Sequence, residues 1–144
     1  MTSNENDVYK ITASSQYDTS IDPFNCFSGI PPKNNLGWHS ASANPKWIGW
    51  QNKIEKVLVK KLNITPYFQN DAWTSSLDSV RLEGSDDGTN WNEIAIINGT
   101  YGNKVTVTHL LPDNETGYFY HRVYSLTPSS YMSVGNIMAY SVID

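Results

Sequence analysis

Apolar residues alternate with polar ones along most of this chain, and helical spacing is hard to find. The alternation is clearest over 55–65 and 104–111, which are rich in valine, leucine and isoleucine. Because successive side chains of a strand point to opposite faces, this pattern is typical of half-buried strands. It predicts strands at 8–13, 46–51, 55–65, 79–85, 91–97, 104–111, 117–125 and 132–142.

Many short strands with almost no helix predict an all-β fold, arranged as an antiparallel sandwich or barrel. Two polar stretches, 14–45 and 66–78, connect the strands. The first is long for a loop, but it carries apolar anchors such as Phe24, Cys26 and Trp38. We therefore expect it to pack as an Ω-like segment that closes one end of the sandwich.

The segment 82–91 has the strongest local signal, since it reads as a strand, a tight turn and the start of another strand. Asp86, Asp87 and Gly88 can supply the turn, because glycine adopts positive φ and aspartate bonds its own backbone. Trp91 follows the turn, and so large a ring needs a packed neighbour. We expect five residues to be largely buried: Phe27, Trp38, Trp47, Trp91 and Val123.

The composition indicates one folded domain. Aromatic residues make up 12% of the 144 residues, and disordered chains are poor in them. We expect a flexible tail at 1–7 and a single domain at 8–144. A net charge of −4 without a basic cluster argues against nucleic acid as a partner. We expect no membrane helix and no signal peptide in the chain as given, and the single cysteine, Cys26, excludes an intrachain disulfide.

A series of short motifs, in the correct order, resembles the discoidin family, also called the coagulation factor V/VIII C-type family. The motifs are ITASS at 11–15, NCFSG at 25–29, GWHS at 37–40, PKWIGW at 45–50, the strand at 56–66, LEGSDDGTNW at 82–91 and YFYHRV at 118–123. The resemblance covers most of 8–142 and extends to family 32 carbohydrate-binding modules and phage accessory domains. It implies an antiparallel, galactose-binding-like jelly-roll β-sandwich that binds a ligand.

The chain departs from this family at two informative positions. Many members bind a structural calcium through an aspartate where this chain has Ser28, and calcium prefers six to eight oxygen ligands that include carboxylates. We therefore expect no metal and no cofactor, with a structural calcium as the alternative. Some members use an arginine where this chain has Tyr67, so the resemblance implies no preference for galactose.

The sequence lacks catalytic motifs. His39, His109 and His121 lie neither in a nucleophile motif nor at zinc-binding spacing, and no glycine-rich phosphate loop occurs. Asp86 and Asp87 are adjacent carboxylates, but the turn explains both. We therefore expect a protein that is not an enzyme.

Sugar recognition needs an aromatic ring for the apolar side of a pyranose and polar groups that bond its hydroxyls. The segment 67–73 combines both, with Trp73 or Tyr67 as the stacking ring and Asn70 and Asp71 as hydroxyl contacts. The alternative is that its rings only fill the end of the sandwich.

Residues of the first connection are expected to join this site. If Trp38 belongs to the core, its neighbour His39 points toward the loop end, and sugar-binding relatives use a histidine in a resembling position. Asn44 lies on the adjoining loop. Lys46 is placed to reach an acidic sugar or a phosphate, with a surface lysine that binds nothing as the alternative. The alternatives are a local backbone bond for His39 and turn formation for Asn44.

The sequence thus predicts a non-catalytic module that recognises a cell-surface carbohydrate through loops 20–45 and 66–78 at one end of the sandwich. The expected partners are a glycan and a virion or cell-surface protein. An oligomer is expected because weak sugar sites gain from multivalency, while membrane insertion is not expected. The predicted location is a virion surface, such as a tail, baseplate or capsid fibre, or the extracellular space. The alternative is a structural virion or adaptor protein whose loops contact other proteins.

Overall fold

Nine strands and one short helix make up the regular structure of this computed structural model, which describes residues 5–17, 22–27, 37–41, 45–66, 79–98, 105–126 and 131–142. The strands are β1 (Tyr9–Ala13), β2 (Trp38–His39), β3 (Trp47–Asn52), β4 (Lys61–Pro66), β5 (Ser79–Ser85), β6 (Asn92–Asn98), β7 (Val107–Leu110), β8 (Tyr120–Ser125) and β9 (Ser133–Tyr140). A 3₁₀ helix spans Pro23–Phe27.

The strands form two antiparallel sheets. One sheet has five strands in the order β1-β3-β8-β5-β6, and the other has four in the order β2-β9-β4-β7. All the strand pairs are antiparallel, and most of them join strands distant in sequence. The predicted all-β, antiparallel β-sandwich is confirmed, and the described residues contain no α-helix.

The core lies between the two sheets. Fully buried side chains come from both of them, including Ile48, Leu82 and Val123 from the five-stranded sheet and Leu62 and Ile64 from the other. Burial of such side chains is the main driving force for stacking the sheets. The core therefore fixes which face of each strand points inward.

The strand boundaries differ from the prediction in the long connections. Over 55–60, Val57 makes only a single bridge to Tyr118, and regular β4 starts at Lys61. Strand β2 was not predicted, since two residues are too few to show alternation. Within 14–45, the 3₁₀ helix and β2 supply the packed anchors, because Cys26 and Trp38 are both fully buried.

The prediction of five buried residues holds for Trp38 and Val123 but is wrong for Phe27, Trp47 and Trp91, which are only half-buried. The register explains the exposure of Trp47, since it pairs with Tyr124 on the outer face of the five-stranded sheet. Ile48 and Trp50 point inward. Trp50 is the tryptophan of this strand that enters the core. Alternation alone does not tell which of two tryptophans on one strand faces in.

The predicted turn at 86–88 is confirmed. Gly88 has a φ of 72°, in the left-handed region that favours glycine. The Ser85 hydroxyl oxygen accepts from the Gly88 amide at 2.9 Å, and Asp87 Oδ1 accepts from the Thr89 and Asn90 amides at 2.7 Å each. These amide donors, with Asn90 first, lower the pKa of the Asp87 carboxyl well below its usual value. Asp87 is thus a turn residue.

The first described residues fold back onto the sheet. The side-chain oxygen of Asn6 accepts from the amides of Val8 and Tyr9 at 2.8 and 2.6 Å, and Lys53 pairs with Glu5 at 2.6 Å. The boundary between a flexible tail at 1–7 and a domain at 8–144 stays a prediction.

A buried histidine lies in the core at the end of the sandwich opposite the two long connections. His121 is 1% exposed, and its ring stacks on Trp50 with centroids 5.1 Å apart and planes 11° apart. Neither ring nitrogen makes a hydrogen bond of normal geometry within the structure. Burial lowers the pKa of His121 to about 4, with a smaller opposing effect from the Val57 backbone. The ring is therefore neutral at pH 7.

This histidine should make the fold sensitive to acid. Its pKa rises from about 4 in the folded chain to about 6.5 on unfolding, so the unfolded state binds more protons between these values. We expect stability to fall by about 3 kcal/mol as the pH is lowered from 6.5 to 4. Urea unfolding at a series of pH values measures this slope. His121→Phe keeps a ring on Trp50 and should flatten the profile, whereas His109→Gln should leave most of it in place.

The seam between β2 and β9 holds the end of β2 against the start of β9. The Ser40 amide donates to the Met132 carbonyl at 2.9 Å, and the Ser40 hydroxyl accepts from the Met132 amide at 2.8 Å. Both residues are fully buried. Water therefore cannot replace the hydroxyl if it is removed.

Ser40→Ala should accordingly destabilise the protein by about 1–3 kcal/mol, because it leaves the buried Met132 amide without its side-chain partner. Chemical denaturation measures the change. The matched control is Ser79→Ala, which removes a hydroxyl bonded to Asn98 in an exposed position, and its cost should stay below about 0.5 kcal/mol. Equal costs for the two variants would contradict this reading of the seam.

Candidate functional site

Both long connections adjoin strand ends that lie at the same end of the sandwich. His39 at the end of β2 pairs with Ser133 at the start of β9. Pro66 at the end of β4 pairs with Val134 on the other side of β9. Strand β9 therefore lies between His39 and Pro66, the residue from which the segment 67–78 continues. We call this end, defined by residues 14–17, 39–41, 66 and 131–133, the loop end.

Three aromatic rings form a cluster at the loop end. The rings of His39 and Tyr131 are 4.8 Å apart and nearly perpendicular, at 85°. Tyr17 lies 5.4 Å from His39 and 5.9 Å from Tyr131. Tyr17 is 62% exposed whereas His39 is only 8% exposed. The cluster thus presents one ring to solvent on a base of two more buried rings.

Hydrogen bonds involving Ser14 and Ser15 hold the segment that leads to Tyr17, and the Tyr17 amide makes one of its own. The indole nitrogen of Trp38 donates to the Ser15 carbonyl at 2.8 Å, and the Ser15 hydroxyl oxygen accepts from Ala41 at 3.1 Å. The Tyr17 amide donates to the His39 carbonyl at 2.9 Å. Ser14 similarly bonds the backbone of β3. Ser15 of the ASS motif therefore stabilises the position of the WHS motif through its hydrogen bonds to Trp38 and Ala41.

The imidazole of His39 is neutral at pH 7. Burial lowers the pKa of His39, and the Ser40 backbone opposes this only in part. Nδ1 lies 3.0 Å from the Ser40 carbonyl oxygen. Because a carbonyl only accepts, Nδ1 carries the proton and Nε2 is the acceptor nitrogen. The local backbone bond that the sequence offered as an alternative for His39 is therefore present.

Lys46 differs from its expected place on the surface. It is only 3% exposed, and burial lowers the pKa of its ammonium group. Its carbonyl accepts from the Ser125 amide at 2.9 Å, which anchors the start of β3 to the end of β8. The prediction that Lys46 reaches out to an acidic sugar is not supported by this position.

Apart from Lys46, only His39 among the predicted site residues lies in the described part of the chain. Tyr67, Asn70, Asp71, Trp73 and Asn44 lie outside the described residues. The structure adds two residues that the sequence reasoning missed, Tyr17 and Tyr131. Both flank predicted strands at the loop end, so a tyrosine just beyond a strand end was the available signal.

Metal binding and membrane insertion gain no support from the described residues. Within them, no three histidine, cysteine, aspartate or glutamate side chains come together in a way that could hold a metal ion. Ser28, the position at which the family's calcium ligand is replaced, lies outside the described residues. No described helix is long and apolar enough to cross a membrane.

A cavity of about 390 Å³ lies on another side of the sandwich, between β1, β9 and the 3₁₀ helix. Its lining is dominated by apolar groups such as Ile11, Phe24, Phe27 and Ile137. Sugar hydroxyls need directional polar partners. The loop end therefore suits a hydroxyl-rich ligand better than this cavity does.

By sequence, no protein-family model and no curated protein matches the chain. Solved structures do match it. A family 32 carbohydrate-binding module of Clostridium perfringens in complex with GalNAc-β-1,3-galactose is 17% identical, with a TM-score of 0.73 over 92% of this chain and 94% of the module. The family 32 module of C. perfringens NanJ in complex with galactose is 12% identical, with a TM-score of 0.71 over 91% and 92%.

A domain of a third protein extends the likeness beyond these modules. The F5/8 type C domain of a Bacteroides fragilis protein is 16% identical, with a TM-score of 0.74 over 92% of this chain and 91% of that domain. At such identities the likeness establishes the fold. The chain has the galactose-binding-like, discoidin-type β-sandwich fold of family 32 carbohydrate-binding modules and F5/8 type C domains.

Proposed function

We propose that this protein is a non-catalytic carbohydrate-binding module and that the loop end is its binding site. The observation that carries the proposal is the exposed Tyr17 ring, which is held against a buried, neutral imidazole. A pyranose stacks its apolar C–H face on such a ring. Its hydroxyls then meet the polar groups at the same end.

The Tyr17 ring is held in place by its neighbours, so a ligand can bind to it without a rearrangement of the site. Tyr17 is fixed by the hydrogen bond from its amide to the His39 carbonyl and by its contacts with the rings of His39 and Tyr131. A preformed site does not have to order its groups on binding, which saves about 0.5–1.5 kcal/mol for each side chain. This matters for sugars, because a millimolar dissociation constant corresponds to only about −4 kcal/mol.

The similar structures support the ligand class. One of the C. perfringens modules is in complex with galactose and another with GalNAc-β-1,3-galactose. We propose that this chain also takes a terminal sugar of a surface glycan. Trp73 or Tyr67 would add a second stacking face, and Asn70, Asp71 and Asn44 would add hydroxyl contacts beside His39. These five residues stay predictions from the sequence.

Removal of the exposed ring tests this site. Tyr17→Ala should weaken glycan binding about tenfold or more, because it removes the stacking face and exposes the cluster beneath. Binding is measured by isothermal titration with the strongest ligand found on a glycan array. Tyr17→Phe keeps the ring and should retain most of the affinity.

The control is Ile54→Ala, which truncates a 66% exposed side chain at the opposite end of the sandwich. It should bind like the parent, and circular dichroism of all three variants should stay native. Full binding by Tyr17→Ala would place the site elsewhere. An array without any bound glycan would favour the alternative, in which the loop end contacts another protein.

We also propose that the module acts at a virion surface or in the extracellular space, where many copies face many glycans. Multivalent display raises the overall affinity by about 10²–10⁴ when single sites are weak. Immobilising the protein on beads should therefore give retention on glycan-coated surfaces that the free protein lacks. Equal retention of free and bead-bound protein would contradict the need for display.

A further inference from the structure

The outer face of the five-stranded sheet carries a second group of aromatic and polar side chains. Pairing between β3 and β8 sets Trp47 opposite Tyr124 and Gln51 opposite Tyr120. The residues between them, such as Trp50 and Val123, are buried in the core. Trp47, Gln51, Tyr120 and Tyr124 therefore point away from the core, on a surface distinct from the loop end.

An ion-pair network around a buried carboxylate lies on this face. Glu83 is 5% exposed and pairs with both Arg81, at an N–O distance of 2.6 Å, and Arg122. The guanidinium of Arg122 lies 4.0 Å from the centroid of the Trp91 ring and 5.4 Å from that of Tyr124. The Glu83 carboxylate thus fixes the guanidinium of Arg122 by an ion pair, and Arg122 in turn makes a cation–π contact with Trp91.

A cavity of about 250 Å³ opens in the middle of this face. The register explains it, because Gly49 lies between Thr12 and Arg122 and contributes no side chain. A Cβ at Gly49 would come 2.5 Å from the His121 carbonyl oxygen. The close approach of β3 and β8 therefore requires glycine, and the cavity is a fixed consequence of the backbone packing.

The lining of the cavity combines rings with hydrogen-bonding groups. The lining residues include the aromatic Trp47, Trp91 and Tyr120 and, with polar side chains, Thr12, Gln51 and Lys10. Flat rings beside an amide and a hydroxyl are the chemistry that recognises a sugar ring.

The volume of the cavity and the charges of its lining limit the class of ligand that it can bind. The volume is below the roughly 300–1,000 Å³ of pockets for drug-sized ligands, so it suits one ring rather than a chain. The two cations of the lining already have carboxylate partners, since Arg122 pairs with Glu83 and Lys10 lies 3.8 Å from Glu5. An uncharged ligand fits best.

We propose that this cavity is a second binding site, which takes a single uncharged pyranose ring. The ring would stack on the tryptophan and tyrosine walls and donate its hydroxyls to Gln51 and Thr12. The site is independent of the loop end, so the proposal does not rest on the function proposed above.

The test is a titration of ¹⁵N-labelled protein with galactose and, separately, glucose, up to about 10 mM. The amides of Thr12, Gly49, Gln51 and Gly88 report on the cavity, and those of Tyr17 and His39 report on the loop end. We expect saturable shifts at the first group with at least one of the two sugars. These shifts should persist unchanged in Tyr17→Ala.

Gln51→Ala should weaken this binding about two- to tenfold, the loss expected for one hydrogen bond. The matched control is Asn92→Ala, which removes an exposed amide side chain on β6, outside the cavity lining. It should leave the affinity unchanged. Unchanged melting temperatures would establish that both variants are folded.

The outcomes separate the two sites. Shifts confined to Tyr17 and His39, or cavity shifts that vanish in Tyr17→Ala, would overturn the second site and leave the loop end standing. Cavity shifts without loop-end shifts would support the second site and count against the function proposed for the loop end. Absence of any shift with both sugars would overturn the second site.

Discussion

The register between β3 and β8 is the constraint on which the rest of the structure depends. It pairs Trp50 with His121 on the inner face and Gly49 with Arg122 on the outer face. A slip by one residue would exchange these faces, placing a guanidinium in the core and an indole in solvent. Gly49 allows the pairing, because any Cβ there would collide with the His121 carbonyl. The core, the outer face and its cavity therefore follow from one pair of strands.

The loop end depends on a second, smaller constraint. Strand β2 has only two residues, so its own ladder bonds cannot hold it. Ser15 and Ser40 compensate, one through Trp38 and Ala41 and the other through Met132. Small polar side chains at strand ends thus position the aromatic cluster.

Sequence patterns predicted the elements whose signal is local. The turn at Gly88 could be predicted because glycine and aspartate have conformational preferences of their own. The stacked sheets followed from alternation and from the resemblance. The faces of Trp47 and Trp91 could not be predicted, because they depend on which side of the sheet is covered. Tyr17 and Tyr131 were missed for a similar reason. The pairing of β2 with β9 brings Tyr131 beside His39, and a hydrogen bond from the Tyr17 amide to the His39 carbonyl brings Tyr17 there.

The binding of a sugar on the exposed ring at the loop end is open to direct test. A crystal structure of the protein soaked with GalNAc-β-1,3-galactose, the disaccharide present in a similar structure, tests it most directly. We expect density for a pyranose stacked on the Tyr17 ring, with a hydroxyl within hydrogen-bonding distance of a polar group at the loop end. Clear density for the sugar at another surface, with the loop end empty, would contradict it.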